Sequence, residues 1–290
     1  MEAASPYNLV DIGANLTNHR FPSNELDSVI QRAKQAGVVK LLLTGTSEQV
    51  SQDSAKLAEQ YPGFLYFTAG VHPHDAKDFT ATSLSHLTAL AEHAQCVAVG
   101  ECGLDFNRNF SPQDQQLTVF EAQVKLACQL KKPLFVHERE ASKSMIEILS
   151  RHQTDLPPVV MHCFTGTVDE ARVYLDMGFY IGLTGFLWKD KLPNGVQAGL
   201  KSGAFPLDRL MIETDAPFMY PKVDNKKLPA EVRSRISEHA KRYLKFCSFN
   251  RNEPCSLAAT CELIAAFMDL PASDVAEAAT RNASSVFGLS

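Results

Sequence analysis

The sequence predicts an α/β protein folded as a TIM (β/α)8 barrel, and three observations carry that expectation. Short apolar runs alternate with longer mixed polar and apolar stretches along the whole chain, there are about eight such runs, and 290 residues suit one closed barrel with a few added helices. Strands of a parallel sheet are covered on both faces, so they read as continuous Val, Ile and Leu runs rather than as strict alternation. No internal repeat, low-complexity tract or interdomain linker interrupts the pattern, so residues 1–290 are expected to form a single domain.

The first strand is expected over 9–13, followed by a helix over 26–36, which the glycine at 37 should stop. A second strand over 40–44 leads to a helix over 50–60, and a third over 66–71 leads to a helix over 84–93. The fourth strand, 97–101, precedes the longest amphipathic stretch, 115–130; the fifth, 134–137, precedes a helix over 142–152. The sixth, 159–162, precedes a helix over 169–177 that Gly178 should end, and 180–183 and 210–214 supply the last two strands. After Asp215 the alternation lapses into a long Pro- and Lys-containing segment. Asn252, Glu253 and Pro254 then resemble a helix start, with Asn252 as cap and Pro254 in the first turn, and helices over 256–268 and 272–287 should pack on the barrel.

Composition narrows the function classes. Hydrophobic residues make up 45% and charged residues 21%, ordinary globular usage, and no apolar run approaches the roughly 18 residues a membrane span requires. The N-terminus lacks a basic segment followed by an apolar core, and the acidic Glu2 is unlike a transit peptide. A soluble, cytoplasmic, monomeric protein is therefore expected, with no membrane partner and with the nucleus as the alternative in a eukaryote. Seven cysteines without a CxxC pair argue against a disulfide framework or a thiolate zinc site; Cys102 and Cys163 should turn toward the helices as buried thiols. The net charge of −5 excludes a general coat on nucleic acid, yet residues 219–251 carry nine basic against three acidic side chains.

The chemistry lies at strand ends. Glu101, His137, His162 and Asp215 each terminate an apolar run, where the core has no use for them, and all four should meet at the C-terminal mouth of the barrel. One Glu, two His and one Asp suit a divalent metal, with Glu101 bridging, His137 and His162 giving imidazole nitrogens, and Asp215 serving as ligand or general base. For any one of them alone, separately satisfied hydrogen bonds are the better explanation, but not for four together. Glu213 shares the face of Asp215 and needs a cationic partner if buried, a structural pairing for which Arg139 is one possible partner. His72 could bind a substrate phosphate or a metal-bound water, or equally be a satisfied loop histidine, the reading that suits His74 better. Asp11 and Asn15, alternating with Gly13, could offer oxygens to a second cation, or could cap the first loop. In the basic run Lys222 could neutralise phosphate, and Phe218, Tyr220 and Tyr243 could stack bases. Trp188 with Phe186 is a further stacking candidate, set against plain core packing.

Six motifs, Asp11-Ile-Gly-Ala-Asn15, Gly70-Val-His-Pro-His74, Gly100-Glu-Cys-Gly-Leu-Asp105, His162-Cys-Phe-Thr-Gly166, Glu213-Thr-Asp-Ala-Pro217 and Arg251-Asn-Glu-Pro254, resemble the TatD family of metal-dependent deoxyribonucleases, and the TatD subgroup most. The resemblance spans nearly the whole chain. It implies a TIM barrel of the metal-dependent hydrolase type, a divalent cofactor (Mg²⁺ first, Mn²⁺ or Zn²⁺ next), and 3'-to-5' exonuclease action on single-stranded DNA, with RNA as a second substrate, in DNA repair or degradation. It also implies Glu101, His137 and His162 as ligands and Asp215 as the catalytic acid group. Two departures stand out: Gly13 and Asn15 occupy positions where many relatives carry histidines, and Glu138-Arg139 follows His137 where Cys-Arg is common. The competing readings are a metal-dependent amide or ester hydrolase such as an aminoacyl-tRNA deacylase, since the same barrel can polarise a carbonyl, and a non-catalytic nucleic-acid-binding barrel.

Overall fold

The structure, a computed structural model, describes residues 5–289. Strands and helices follow one another as β1 (Leu9–Ala14), α1 (Leu26–Gln35), β2 (Val38–Leu43), α2 (Glu48–Glu59), β3 (Leu65–Ala69), α3 (Ser83–Ala91), β4 (Cys96–Asp105), α4 (Gln113–Leu130), β5 (Leu134–Arg139), α5 (Ser142–Arg151), β6 (Val159–Met161), α6 (Val168–Asp176), β7 (Tyr180–Leu183), α7 (Val196–Ser202) and β8 (Leu210–Ile212). The chain then adds α8 (Ala230–Ser234), α9 (Glu238–Leu244), α10 (Leu257–Met268) and α11 (Ala272–Phe287). Strand order is β1 to β8 with every neighbour parallel. The ring closes at its upper edge, where Asp215 N donates to Gly13 O at 2.8 Å, Asn15 N donates to Ala216 O at 2.6 Å, and Ala14 bridges Ala216.

Two apolar layers result. Val10, Ile12, Leu42, Tyr66, Phe135, Val160 and Met211 fill the barrel, and Phe287 and Leu289 close its floor, with the rings of Phe135 and Phe287 6.4 Å apart. A larger layer between sheet and helices takes the alternate strand residues together with one face of each helix. Filling the interior with side chains leaves a packed core rather than a pore, so only the mouth is open to chemistry. α10 is buried along nearly its full length, and among the described residues no single helix is both long and apolar enough to cross a membrane.

The expected strands and long helices are present, with ends displaced by a few residues. α7, α8 and α9 were not anticipated; each is seven residues or fewer, too short for a periodic signal. Asn252 is not a helix cap: it is buried, and its side-chain Nδ2 donates to Thr214 O at 3.1 Å, tying the late segment to the end of β8. β4 extends four residues past Glu101, with a register shift against β5 between Gly100 and Cys102. Gly100 is required there, because its φ is +139° and a Cβ would lie 2.2 Å from Phe135 O.

Candidate active site

At the mouth, three imidazoles surround one carboxylate oxygen. Glu101 Oε1 lies 3.0 Å from His137 Nδ1, 3.3 Å from His72 Nε2 and 3.6 Å from His162 Nε2. His72, Glu101 and His137 present potential ligand atoms within 4.8 Å of one another, as do His162, Cys163 and Asp215. The four residues expected to converge all lie at this mouth, but their potential ligand atoms fall into two groups, with His72 joining Glu101 and His137, and Cys163 joining His162 and Asp215. Asn15 is also at the mouth, and its Nδ2 donates to Asp215 Oδ1 at 3.0 Å.

The hydrogen bonds assign roles to the rings. His72 Nδ1 accepts from His74 N at 3.1 Å, so the neutral ring carries its proton on Nε2 and donates toward Glu101. His162 Nδ1 lies 2.5 Å from Glu213 Oε2, and an Nδ1–H held there directs Nε2 toward Glu101, where its lone pair becomes available once the ring is neutral. His137 Nε2 is buried without a hydrogen-bond partner, 3.5 Å from Asp105 Oδ2. A buried nitrogen in that state, among neutralising carboxylates, fits a divalent cation once its proton has left.

Glu213 corrects an expectation. Its oxygens are taken by His162 Nδ1 and by Cys163 N, which donates to Oε1 at 2.6 Å, so its partner is His162 and not Arg139, which lines the cleft wall. The carboxylate occupies space that two glycines leave: a Cβ on Gly13 would come 2.4 Å from Oε2, and one on Gly182 would come 2.6 Å from Oε1.

Asp11 is a second correction. A register shift between Asp11 and Ala14 breaks the alternation that should have aimed Asp11, Gly13 and Asn15 the same way. Asp11 is fully buried, and its oxygens accept from Thr214 N at 2.9 Å, Gly13 N at 3.3 Å and Thr214 Oγ1 at 2.6 Å, so it ties β1 to β8 and offers no oxygen to a cation in the cleft. Cys163 is the third. β6 ends at Met161, and Cys163 has φ +46°, so strand alternation no longer governs it and it lines the cleft; Cys102 does lie in the buried layer.

Charges follow this packing. Burial alone would raise the Glu101 carboxyl, but His72, His162 and His137 hold it well below the usual carboxylate range. Burial works against a charged His162 and is overcome by Glu213 and Glu101, which push its pKa up to about 10; Asp105 and Glu101 likewise raise His137 to about 9. Burial lowers His72. Asp215 is pushed up to about 7 by burial, with His162 opposing and the Glu101 and Glu213 charges adding.

The cleft above these groups has a volume of about 1270 Å³. Its cations are Arg20, Lys77, Arg108, Arg139, Lys189 and Lys191, and none of the nine basic residues of 219–251 lines it. Lys222 is exposed outside the lining, Tyr243 is buried, and Trp188 packs behind the wall with its indole N–H donating to Tyr220 O at 2.9 Å. These three are therefore not placed to meet a ligand in the cleft, whereas Phe218, Tyr220 and Phe186 are. Asp105 escaped the sequence reading: it accepts from His74 Nε2 at 2.8 Å and from Arg108 N at 2.7 Å. Its signal is the even, four-residue spacing from Glu101 along a strand that runs past the expected end at 101.

Comparison with known proteins agrees with this architecture. Residues 10–288 match the family described as TatD related DNase. The chain is 39% identical to a protein of Pantoea vagans named 3'-5' ssDNA/RNA exonuclease TatD, over 97% of this chain and 100% of that one. It is 40% identical to the protein of the same name from Erwinia tasmaniensis, with the same coverage. Among solved structures, a TatD family hydrolase of Entamoeba histolytica superposes with a TM-score of 0.84 at 23% identity, covering 99% of this chain and 100% of that one. YJJV, a TatD homolog from Escherichia coli, superposes with a TM-score of 0.81 at 26% identity, covering 97% and 98%.

Proposed function

The chain belongs to the TatD-related DNase family, and from that premise we propose that it is a divalent-metal-dependent nuclease that shortens single-stranded DNA from the 3' end, with RNA as a second substrate. The observation that carries the reading is the convergence of His72, His137 and His162 on Glu101, beside Asp215, at the floor of a cleft whose walls bear six cations. The amide or ester alternative explains the metal donors equally well but gives no reason for six cations against the three carboxylates, Asp75, Glu138 and Asp190, that line the walls beyond Glu101, Asp105 and Asp215.

Glu101, His137 and His162 would hold the cation, with Asp215 beside them; bound there, a divalent cation polarises a phosphoryl oxygen and acidifies water. Asp215 does the proton work. Its Oδ1 is held by Asn15, so the carboxylate is fixed in direction to accept a proton from attacking water. His72 donates from Nε2, and Arg108, Arg139, Arg20 and Lys189 sit where a phosphate chain would cross the mouth. Glu213 positions His162, and Asp105 positions His74 and Arg108. The imidazole-rich donor set moves the preferred ion from the Mg²⁺ expected at first toward Mn²⁺. Cytoplasmic action as a monomer, in DNA repair or degradation, completes the proposal.

Digestion of 3'- and 5'-labelled single-stranded and duplex oligonucleotides with Mg²⁺, Mn²⁺ and Zn²⁺ tests it. A ladder retreating from the 3' end, lost in Glu101→Ala while thermal unfolding stays cooperative, is expected; an undiminished rate in Glu101→Ala refutes the assignment.

A further inference from the structure

Large apolar side chains seldom stand in water in groups, yet three rings line this one cleft: Phe110 is 60% exposed, Phe249 56% and Phe218 42%. Two of them carry cations. Arg20 lies 5.3 Å from the Phe218 ring centre, and Lys189 lies 4.6 Å from both Phe249 and Phe186. Arg20 also donates to Asn250 O at 2.9 Å, which ties both pairs to the wall built by the loops after β7 and β8. Phe110 belongs to the loop after β4, and in a ring of eight strands β4 stands across the mouth from β8.

Phe110 is presented rather than left loose. Its ring meets His74 at 4.7 Å and 85°, a perpendicular contact that leaves a phenyl face open. The loop beneath is pinned at several points: Arg108 N donates to Asp105 Oδ1 at 2.7 Å, Phe110 N to Arg108 O at 2.8 Å, and Ser111 Oγ to His74 O at 2.7 Å. The same His74 binds Asp105, which stands 3.5 Å from His137 Nε2, so the ring is three contacts from His137 in the carboxylate and imidazole cluster. A rigid loop that spends a phenylalanine on solvent at this spot provides a flat apolar surface for a flat apolar partner.

Resting on the nuclease reading, we propose that Phe110 is a stacking platform for the base beside the scissile phosphodiester, and that the Arg20–Phe218 and Lys189–Phe249 pairs grip the strand on the opposite wall. A base inside a duplex has both faces covered by its neighbours and a terminal pair exposes only its outer face, so an unpaired nucleotide uses the platform most readily. Preference for single strands is then a property of this ring.

Oligonucleotides with one abasic residue test the proposal, because they keep every phosphate and remove one stacking face. In the wild type, kcat/KM at the linkage beside the abasic residue should fall about ten-fold or more against the intact strand. Phe110→Ala should slow the intact strand by a similar factor and leave the abasic one unchanged, and Phe110→Trp should restore the difference. Fluorescence anisotropy of the same strands in EDTA should show the same pattern in affinity, without turnover. Equal losses on both strands, or none on either, overturn the platform. Binding without hydrolysis under every cation would sink the nuclease reading by itself, and the anisotropy pattern would still decide the stacking role.

Discussion

Uptake of a divalent cation should expel protons, and the geometry says from where. In the metal-free protein His162 is raised to about 10 and His137 to about 9: burial opposes the charged rings, but Glu213 and Glu101 overcome it for the first, Asp105 and Glu101 for the second. A cation can take an imidazole lone pair only once the proton on that nitrogen has gone. At pH 7 the two rings lie about three and about two pH units below their pKa values, which at about 1.36 kcal/mol per unit opposes binding by roughly 4 and roughly 3 kcal/mol. Affinity for Mn²⁺ should therefore climb with pH, by about 10- to 100-fold per unit between pH 6.5 and 8, and one to two protons should appear in solution per ion bound.

Isothermal titration of the EDTA-stripped protein in two buffers of different ionisation enthalpy reads the proton count directly. Stability supplies an independent sign. Both histidines have folded pKa values above the unfolded 6.5, so the stability they contribute without metal is complete below about pH 6.5 and is lost as pH rises through 9 to 10. The gap in melting temperature between loaded and stripped protein should widen over that range. A pH-independent affinity with no proton release would show that His162 and His137 are neutral before the ion arrives, and the charge assignment would fall.

Three further outcomes follow from single contacts. Glu213→Gln leaves the space filled but offers one acceptor to two donors, so either His162 Nδ1–H or Cys163 N–H goes unmatched; Mn²⁺ affinity should drop about 10- to 100-fold, and nitrogen NMR of the imidazoles should show a changed His162 tautomer, an unchanged affinity being the refuting result. Gly182→Ala places a methyl 2.6 Å from Glu213 Oε1; it should cost about 1–3 kcal/mol in chemical denaturation and reduce activity together with it, whereas a neutral substitution would mean the carboxylate has room to move. Asp11, raised to about 7 by burial and so above its unfolded value of 3.8, binds a proton more tightly when folded, and stripped protein should lose stability as pH rises from about 4 to 7; Asp11→Asn should flatten that decline in melting scans, and an identical slope would refute it.

Placement at the rim was legible even where the strand is irregular, as for Glu101 at the register shift itself and His162 one residue past β6. Glu101, His137 and His162 could be placed at one mouth because each ends an apolar run and a parallel barrel has only one such end. The readings that failed sit where the ladder is irregular. Asp11 lies beside a register shift, Cys163 beyond the last residue of β6 in a left-handed conformation, and Asp105 at the end of an extension that begins past the Gly100 irregularity. A count of two per residue pair carries no information across such breaks. Charge misled differently. The run of nine cations after Asp215 was the loudest electrostatic signal, yet those side chains stand outside the cleft, as on α9, where Lys241 pairs with Glu238 three residues away. The six cations that do line the cleft come from five separate segments, so no local window could have counted them. Glu213 shows the same limit most sharply: its need for a partner was legible from its burial, but the partner is His162, 51 residues back in the chain, brought to it by closure of the sheet through space that Gly13 and Gly182 leave open.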